Sequence, residues 1–229
     1  MEKYLLVIVV LLLLSMLVQW VFKKRFSAYS EIQLSAGLSG KEIAEKMLHD
    51  YAIDDVQIVC TERQLSDHYN PAHKTINLST DVYHGRSIAA AAVAAHECGH
   101  AVQHSRSYLW LGFRTNMVPV VSLSSNILQW VLIFGILLTA FTGSTTLLTM
   151  GMVGLLLITV FSLATLPVEL DASRRALLWL RTNSKVVYTE EEHQKATQAL
   201  RWAALTYVVA ASGAFANLVY YTSMLFSRK

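Results

Sequence analysis

Residues 115–168 read TNMVPVVSLSSNILQWVLIFGILLTAFTGSTTLLTMGMVGLLLITVFSLATLPV and contain no Asp, Glu, Lys or Arg. A helix crosses a hydrocarbon core about 30 Å thick with roughly 20 apolar residues, so this stretch holds two spans. The tetrad Thr142-Gly143-Ser144-Thr145 divides it, because such residues favour turns. The sequence thus predicts a helical hairpin over about residues 119–141 and 146–166. Composition agrees: the chain is 54% hydrophobic and 15% charged, where an ordinary soluble domain is about 25% charged.

Two further apolar stretches flank this hairpin. Residues 4–22, YLLVIVVLLLLSMLVQWVF, are long enough to span. A secretory signal peptide would carry its basic cluster before the apolar run and end at a small-residue cleavage site. Here Lys23-Lys24-Arg25 follows the run and no A-x-A site appears, so an uncleaved anchor is expected. The fourth stretch covers about residues 205–226. It contains Asn217, which should face another helix rather than lipid.

Lys and Arg gather in cytoplasmic loops. Residues 23–117 hold ten of them, residues 167–203 hold six and the 142–145 turn holds none. Both charged segments are therefore expected in the cytoplasm, with the turn outside. Arg228 and Lys229 fit this less well if the fourth stretch spans. The net charge of +3 comes from residues beside apolar runs and forms no nucleic-acid stripe. Cys60 and Cys98 are the only cysteines and read as reduced thiols rather than a disulfide.

The charged segment 23–117 carries the chemistry. Ser39 can cap a short helix over 40–50 with Ile43, Met47 and Leu48 on its apolar side. Residues 57–61 and 75–78 read as strands, with a turn at Asn70-Pro71. Ser87 suits the N-cap of a helix over about 88–104, whose alanines between Ala89 and Ala95 favour helix. On that helix His96 and His100 are four apart and share a face. Two imidazoles at this spacing can hold one zinc ion, with Glu97 as general base toward a water that attacks a peptide carbonyl. The competing reading is an ordinary helix that happens to carry two polar histidines.

A catalytic zinc usually takes a third protein ligand and keeps one position open. Glu169 is the first charged residue after the third apolar run. It reads either as that ligand or as an interfacial carboxylate paired with Arg174 or Arg175. Asp171 could replace it, or could orient a ligand histidine. His104 lies near the same face as His96, but three ligands from one straight helix surround a metal poorly, so packing or hydrogen bonding suits it better. Cys98 should point away. His49, His68, His73, His84 and His193 have no ligand spacing.

On these residues the chain resembles the YugP-like bacterial membrane proteins, described as neutral zinc metallopeptidases. The resemblance covers nearly the whole chain. It rests on Asp67-His68-Tyr69-Asn70-Pro71, on Ile76-Asn77-Leu78-Ser79, on AHECGHAVQH over 95–104 and on LPVELDASRRAL over 166–177. More widely, the chain is similar to the HtpX-type and CAAX-prenyl proteases, gluzincins in which a glutamate on a later helix completes the site. Their pattern is roughly E-x-x-A-D. Glu169 and Ala172 match it, while Ser173 stands where the aspartate is expected. The resemblance thus implies Glu169 as third ligand, with Asp171 supplying the missing carboxylate contact. It also implies an extended substrate beside an exposed strand edge, for which residues 75–79, with Ile76 and Asn77, are the candidate. Tyr69, His84 and Arg174 are candidates for stabilising an oxyanion.

The expectation is a mainly α membrane protein: a four-span helical bundle with a small α+β zincin-like catalytic portion. Its parts are an anchor over 1–22, a cytoplasmic metallopeptidase portion over 23–117 and a transmembrane hairpin over 118–166. A cytoplasmic segment over 167–204 holds the third ligand, and a last helix covers 205–229. The expected activity is zinc-dependent endopeptidase action on membrane-proximal proteins or peptides, at a bacterial cell membrane, with the site facing the cytoplasm. Protein or peptide substrate and lipid bilayer are the expected partners, without nucleic acid, and self-association stays open. Two alternatives compete: a site-2-type intramembrane protease with Asp171 as ligand, and a non-enzymatic scaffold whose structural zinc recruits His104.

Overall fold

Three serines punctuate the fold where a helix must begin. Ser39 starts α2 (Gly40–Asp50) with a reciprocal capping box: its hydroxyl accepts from the Glu42 N–H, and the Glu42 carboxylate accepts from the Ser39 N–H at 2.7 Å. Such a box satisfies two of the donors that a helix start leaves bare. Ser79 ends a strand and precedes the short α3 (Thr80–Tyr83). Ser87 caps α4 (Ile88–Ser105) by accepting from the Ala90 N–H at 3.2 Å. The computed structural model describes residues 2–62, 66–183, 186, 187 and 189–226. Arg228 and Lys229, in tension with the expected orientation, lie outside the described residues.

The remaining elements are α1 (Glu2–Ser30), β1 (Gln57–Thr61), β2 (His68–Asn70), β3 (Thr75–Ser79), α5 (Leu109–Thr142), α6 (Thr146–Thr182) and α7 (Glu190–Phe226). The chain divides into two compact units. The first gathers Met1–Leu17, Phe113–Leu166 and Thr206–Lys229, and the second Val18–Gly112 and Pro167–Leu205.

In the first unit, α5 and α6 pack through Leu132, Leu148 and Leu155, with Leu218 and Tyr221 of α7 against them. Much of the remaining apolar surface faces outward: Leu123 is 69% and Phe141 85% exposed. An apolar exterior of this extent is what lipid covers. Among the described residues, α5, α6 and α7 are long and apolar enough to cross a membrane. The helices are longer than the apolar runs they contain. α6 continues through Pro167 as one helix of 37 residues, about 55 Å at 1.5 Å per residue. α7 likewise begins at Glu190, ahead of its apolar run. Each helix thus continues well past the apolar run that the sequence marks.

In the second unit the three strands form a sheet in the order β1-β3-β2. β1 pairs with β3 in parallel, Ile58 opposite Ile76, and β2 pairs with β3 antiparallel, Tyr69 opposite Ile76. Sequence reading found β1 and β3 but took Asn70-Pro71 only as a turn and missed β2. This corrects the substrate-edge expectation. Residues 75–79 are the central strand, with a neighbour on each side, and Ile76 is fully buried. Ile76 and Asn77 therefore offer no free edge to an incoming chain.

The core of this unit joins Ile43 and Met47 of α2, Ile76 and Leu78 of β3, Val102 of α4 and Leu180 of α6. The alanines of α4 are more than helix formers. Ala89, Ala90, Ala91, Ala92, Ala94 and Ala95 are all buried, so α4 threads the middle of the unit, where only small side chains let neighbours close in on several sides.

Candidate metal centre

α4 and α6 meet at Gly99. A Cβ built there would lie 2.5 Å from the carbonyl oxygen of Ala172, so only glycine lets the two backbones approach this closely. This crossing sets His96 and His100, on either side of Gly99, against Glu169 one turn before Ala172. His96 Nε2 is 3.2 Å and His100 Nε2 3.7 Å from the same oxygen, Glu169 Oε2. All three donor atoms lie within 4.8 Å of one another. Ligands about 2.0–2.1 Å from a tetrahedral zinc are roughly 3.4 Å apart, so the trio has the spacing of three ligands on one ion.

The hydrogen bonds behind the histidines support the same reading. Gln103 Nε2 donates to Val168 O at 2.8 Å and to Asp171 Oδ2 at 2.9 Å. Both partners only accept, so the amide orientation is fixed and Gln103 Oε1 faces His100 Nδ1 at 3.0 Å as an acceptor. Nδ1 therefore carries the proton, and in the neutral ring Nε2 turns a bare lone pair toward Glu169. A lone pair facing a buried carboxylate calls for a cation between them. Zinc fits this donor set, two imidazoles and one carboxylate. His96 is held on its other nitrogen by Ser173, whose Oγ lies 3.1 Å from Nδ1.

The neighbouring carboxyl differs in kind. Glu97 is buried, and its Oε2 accepts from the Tyr69 N–H of β2 at 2.8 Å. Burial pushes its carboxyl up to about 7, against the opposing pull of His96. A group near neutrality suits one that must take up a proton and release it again.

The other sequence candidates fall into place around this centre. Asp171 is turned to Gln103 and to Arg175 Nε, 2.6 Å away, so Glu169 rather than Asp171 joins the histidines. His104 Nδ1 bonds the Tyr69 hydroxyl at 2.7 Å, and burial pushes that phenol up to about 12. This bond ties α4 to β2 and leaves His104 outside the trio. Asn77 Nδ2 reaches Thr75 Oγ1 at 3.0 Å and His68 Nε2 at 3.3 Å. His84 packs edge-on against Tyr83. Cys98 is buried with its thiol on Ala44 O at 3.6 Å, and burial pushes it well up.

Sequence reasoning missed Gln103, Ser173 and Gly99. Two had legible signals. Gln103 is three residues after His100 and so shares its face. Ser173 stands where the resemblance led us to expect an aspartate, and it makes the histidine contact itself. Asp171, expected to replace that contact, acts instead on the other histidine, through Gln103.

The family described as "Putative neutral zinc metallopeptidase" matches residues 4–226. The chain is also 38% identical over 198 residues to "Putative membrane protease YugP" of Bacillus subtilis (strain 168), covering 86% of this chain and 85% of that protein. No solved structure matches. With a match over nearly its full length and this trio at the α4–α6 crossing, the chain belongs to that zinc metallopeptidase family.

Proposed function

We propose that this protein is a membrane-embedded, zinc-dependent endopeptidase of the gluzincin type, cleaving membrane-proximal proteins or peptides. One observation carries the reading: three ligand atoms converge within 4.8 Å and a buried carboxyl of raised pKa adjoins them on α4. A structural zinc has no use for that carboxyl; a hydrolytic one needs it.

His96, His100 and Glu169 would hold the ion. Bound zinc supplies Lewis-acid polarisation of a carbonyl and makes water more acidic. Glu97 acts as general base. Its Oε2 accepts from the Tyr69 N–H, which anchors the carboxylate that takes the proton of the attacking water. The protonated carboxyl then returns that proton to the leaving amine. Gln103 and Ser173 keep Nε2 of each imidazole toward the ion by holding Nδ1. The sequence supports a cytoplasmic site, because the two segments that bear these residues are the ones rich in Lys and Arg.

The test compares wild type with Glu97→Gln, purified in detergent, on a peptide library. Both are expected to retain zinc, and only wild type to cleave. The variant should lose about 100-fold or more in turnover, as expected for a removed general base. Equal cleavage by the two proteins, or cleavage by neither with zinc loaded, overturns the reading.

A further inference from the structure

In the second unit, α6 and α7 line an open cavity of about 400 Å³ that holds none of the metal trio. Arg174 and Arg181 from α6, and His193 and Arg201 from α7, line it together with leucines of both helices. The spacing explains the convergence: residues 174 and 181 are about two turns apart on α6, and 193 and 201 nearly share a face on α7.

Three features set this cavity apart from an ordinary scatter of interfacial arginines. First, no carboxylate lines it among the described residues. Second, none of the three arginines has an ion pair or hydrogen bond among the described residues, whereas Arg175 pairs with Asp171 and Arg86 with Glu42. Third, His193 Nδ1 is buried and has no hydrogen-bond partner among the described residues. A buried polar atom without a partner costs free energy unless something bonds it.

We propose that this cavity binds the phosphate headgroup of an anionic phospholipid. The arginine forks match phosphate oxygens, and His193 Nδ1 supplies a further polar contact. The leucines decide between a lipid and a free anion. A phosphate ion fills only a small part of 400 Å³, and the leucine wall would be wasted on it. Leu170 and Leu178 lie on the same lining and are 52% and 56% exposed, an apolar rim suited to the glycerol and the upper acyl chains. Both helices also lead into apolar runs: Arg174 follows residue 166 by about two turns, and Arg201 precedes residue 205 by about one. Arginines within a turn or two of a span end lie at headgroup depth.

The cavity approaches the metal trio from behind. Ser173 lines it and also contacts His96 on Nδ1, the nitrogen opposite the one that faces Glu169. It is therefore a lipid site and not a pocket for the scissile peptide. The inference does not depend on the peptidase reading, since lipid binding is measured without turnover.

The experiment uses the full-length protein, delipidated in neutral detergent and mixed with phosphatidylglycerol or phosphatidylcholine, with retained lipid read by native mass spectrometry. Wild type is expected to retain phosphatidylglycerol and shed phosphatidylcholine. The triple variant R174Q/R181Q/R201Q is expected to retain about tenfold less or lower, since each arginine near an anionic surface contributes measurably to binding. A second measurement needs no variant: phosphatidylglycerol carrying a photoreactive group near its headgroup should label peptides from 170–181 and 193–204 of wild type. Equal retention of both lipids, unchanged retention by the triple variant, or labelling confined to other segments overturns the proposal. So does displacement of the lipid by millimolar inorganic phosphate, which marks a free-anion site, or by an acidic peptide, which marks a protein partner.

Discussion

Two helix crossings in this protein use the same device for different ends. In the second unit α4 meets α6 at Gly99, and in the first unit α5 meets α6 at Gly151. At each, an added Cβ would press into the opposing helix. The obstacle at Gly99 is the carbonyl oxygen of Ala172, 2.5 Å away, while at Gly151 it is a methyl of Leu132, 2.6 Å away. Backbone cannot step aside without moving the helix, but the end of a leucine can change rotamer. The first crossing therefore fixes a distance between polar groups, and the second fills space. Backbone contact also occurs away from the site, where a Cβ at Gly135 of α5 would lie 2.9 Å from the Leu148 N of α6; what sets Gly99 apart is that its rigid contact fixes the spacing of the metal trio.

The sharpest way to break this comparison is Gly99→Ala. Alanine is a better helix former by about 1 kcal/mol, yet overpacking against a fixed backbone costs roughly 1–3 kcal/mol or more. Relief requires α6 to move away from α4, taking Glu169 from His96 and His100. The variant should lose most of its zinc and melt several degrees lower, as read by metal content after dialysis and by thermal unfolding in detergent. Full zinc content would mean that the crossing does not set the ligand distance.

Gln103→Leu probes the same region through its hydrogen bonds rather than its backbone. It strips a partner from Val168 O, from Asp171 and from His100 Nδ1. The groups left buried and unpaired cost about 1–3 kcal/mol each, and loss of such a contact behind a ligand histidine typically weakens metal binding about 10–100-fold. Competition with a zinc chelator measures this directly. Ser173→Ala should do less, about tenfold at most, because the smaller hydroxyl makes a single contact at 3.1 Å. Ser173→Asp introduces the aspartate that the gluzincin pattern would place here and should tighten zinc binding over wild type. Weaker binding in the Asp variant would show that this crossing is too tight for a carboxylate.

These variants also mark how far the sequence could be read. Apolar runs, the 142–145 turn, the capped helices after Ser39 and Ser87 and the two longer strands were all visible, because each is set by local periodicity or by a cap. Glu169 was legible as a candidate ligand from its place at the end of an apolar run, but only the resemblance chose that reading over an interfacial carboxylate, since nothing local tells a glutamate at residue 169 what lies across from it. β2 was missed because three residues carry no periodicity, and its pairing depends on β3, several residues away. With β2 unseen, β3 looked like an edge. The continuity of α6 through Pro167 was not legible because an apolar run marks a span and not the whole helix, and proline more often ends a helix. Here close neighbours hold the helix: Val168 is fully buried and its carbonyl accepts from Gln103.

Gly151→Ala is the smallest expected effect and the counterpart of Gly99→Ala. The new methyl would meet Leu132 Cδ2 and, at 3.3 Å, Cγ, so the leucine must turn to another rotamer. An off-rotamer side chain costs about 0.5–1.5 kcal/mol, and the gain in helix propensity is about 1 kcal/mol. The two nearly cancel, so the melting temperature in detergent should stay within about 2–4 °C of wild type, the shift that about 1 kcal/mol produces in a chain of this size. Zinc content and turnover should not change, because no ligand or hydrogen bond of the metal centre lies in that unit. A large fall in melting temperature would mean that Leu132, 7% exposed in its cluster, has no rotamer to move into. The two glycines would then be alike, each a position that no larger residue can occupy without moving its neighbour.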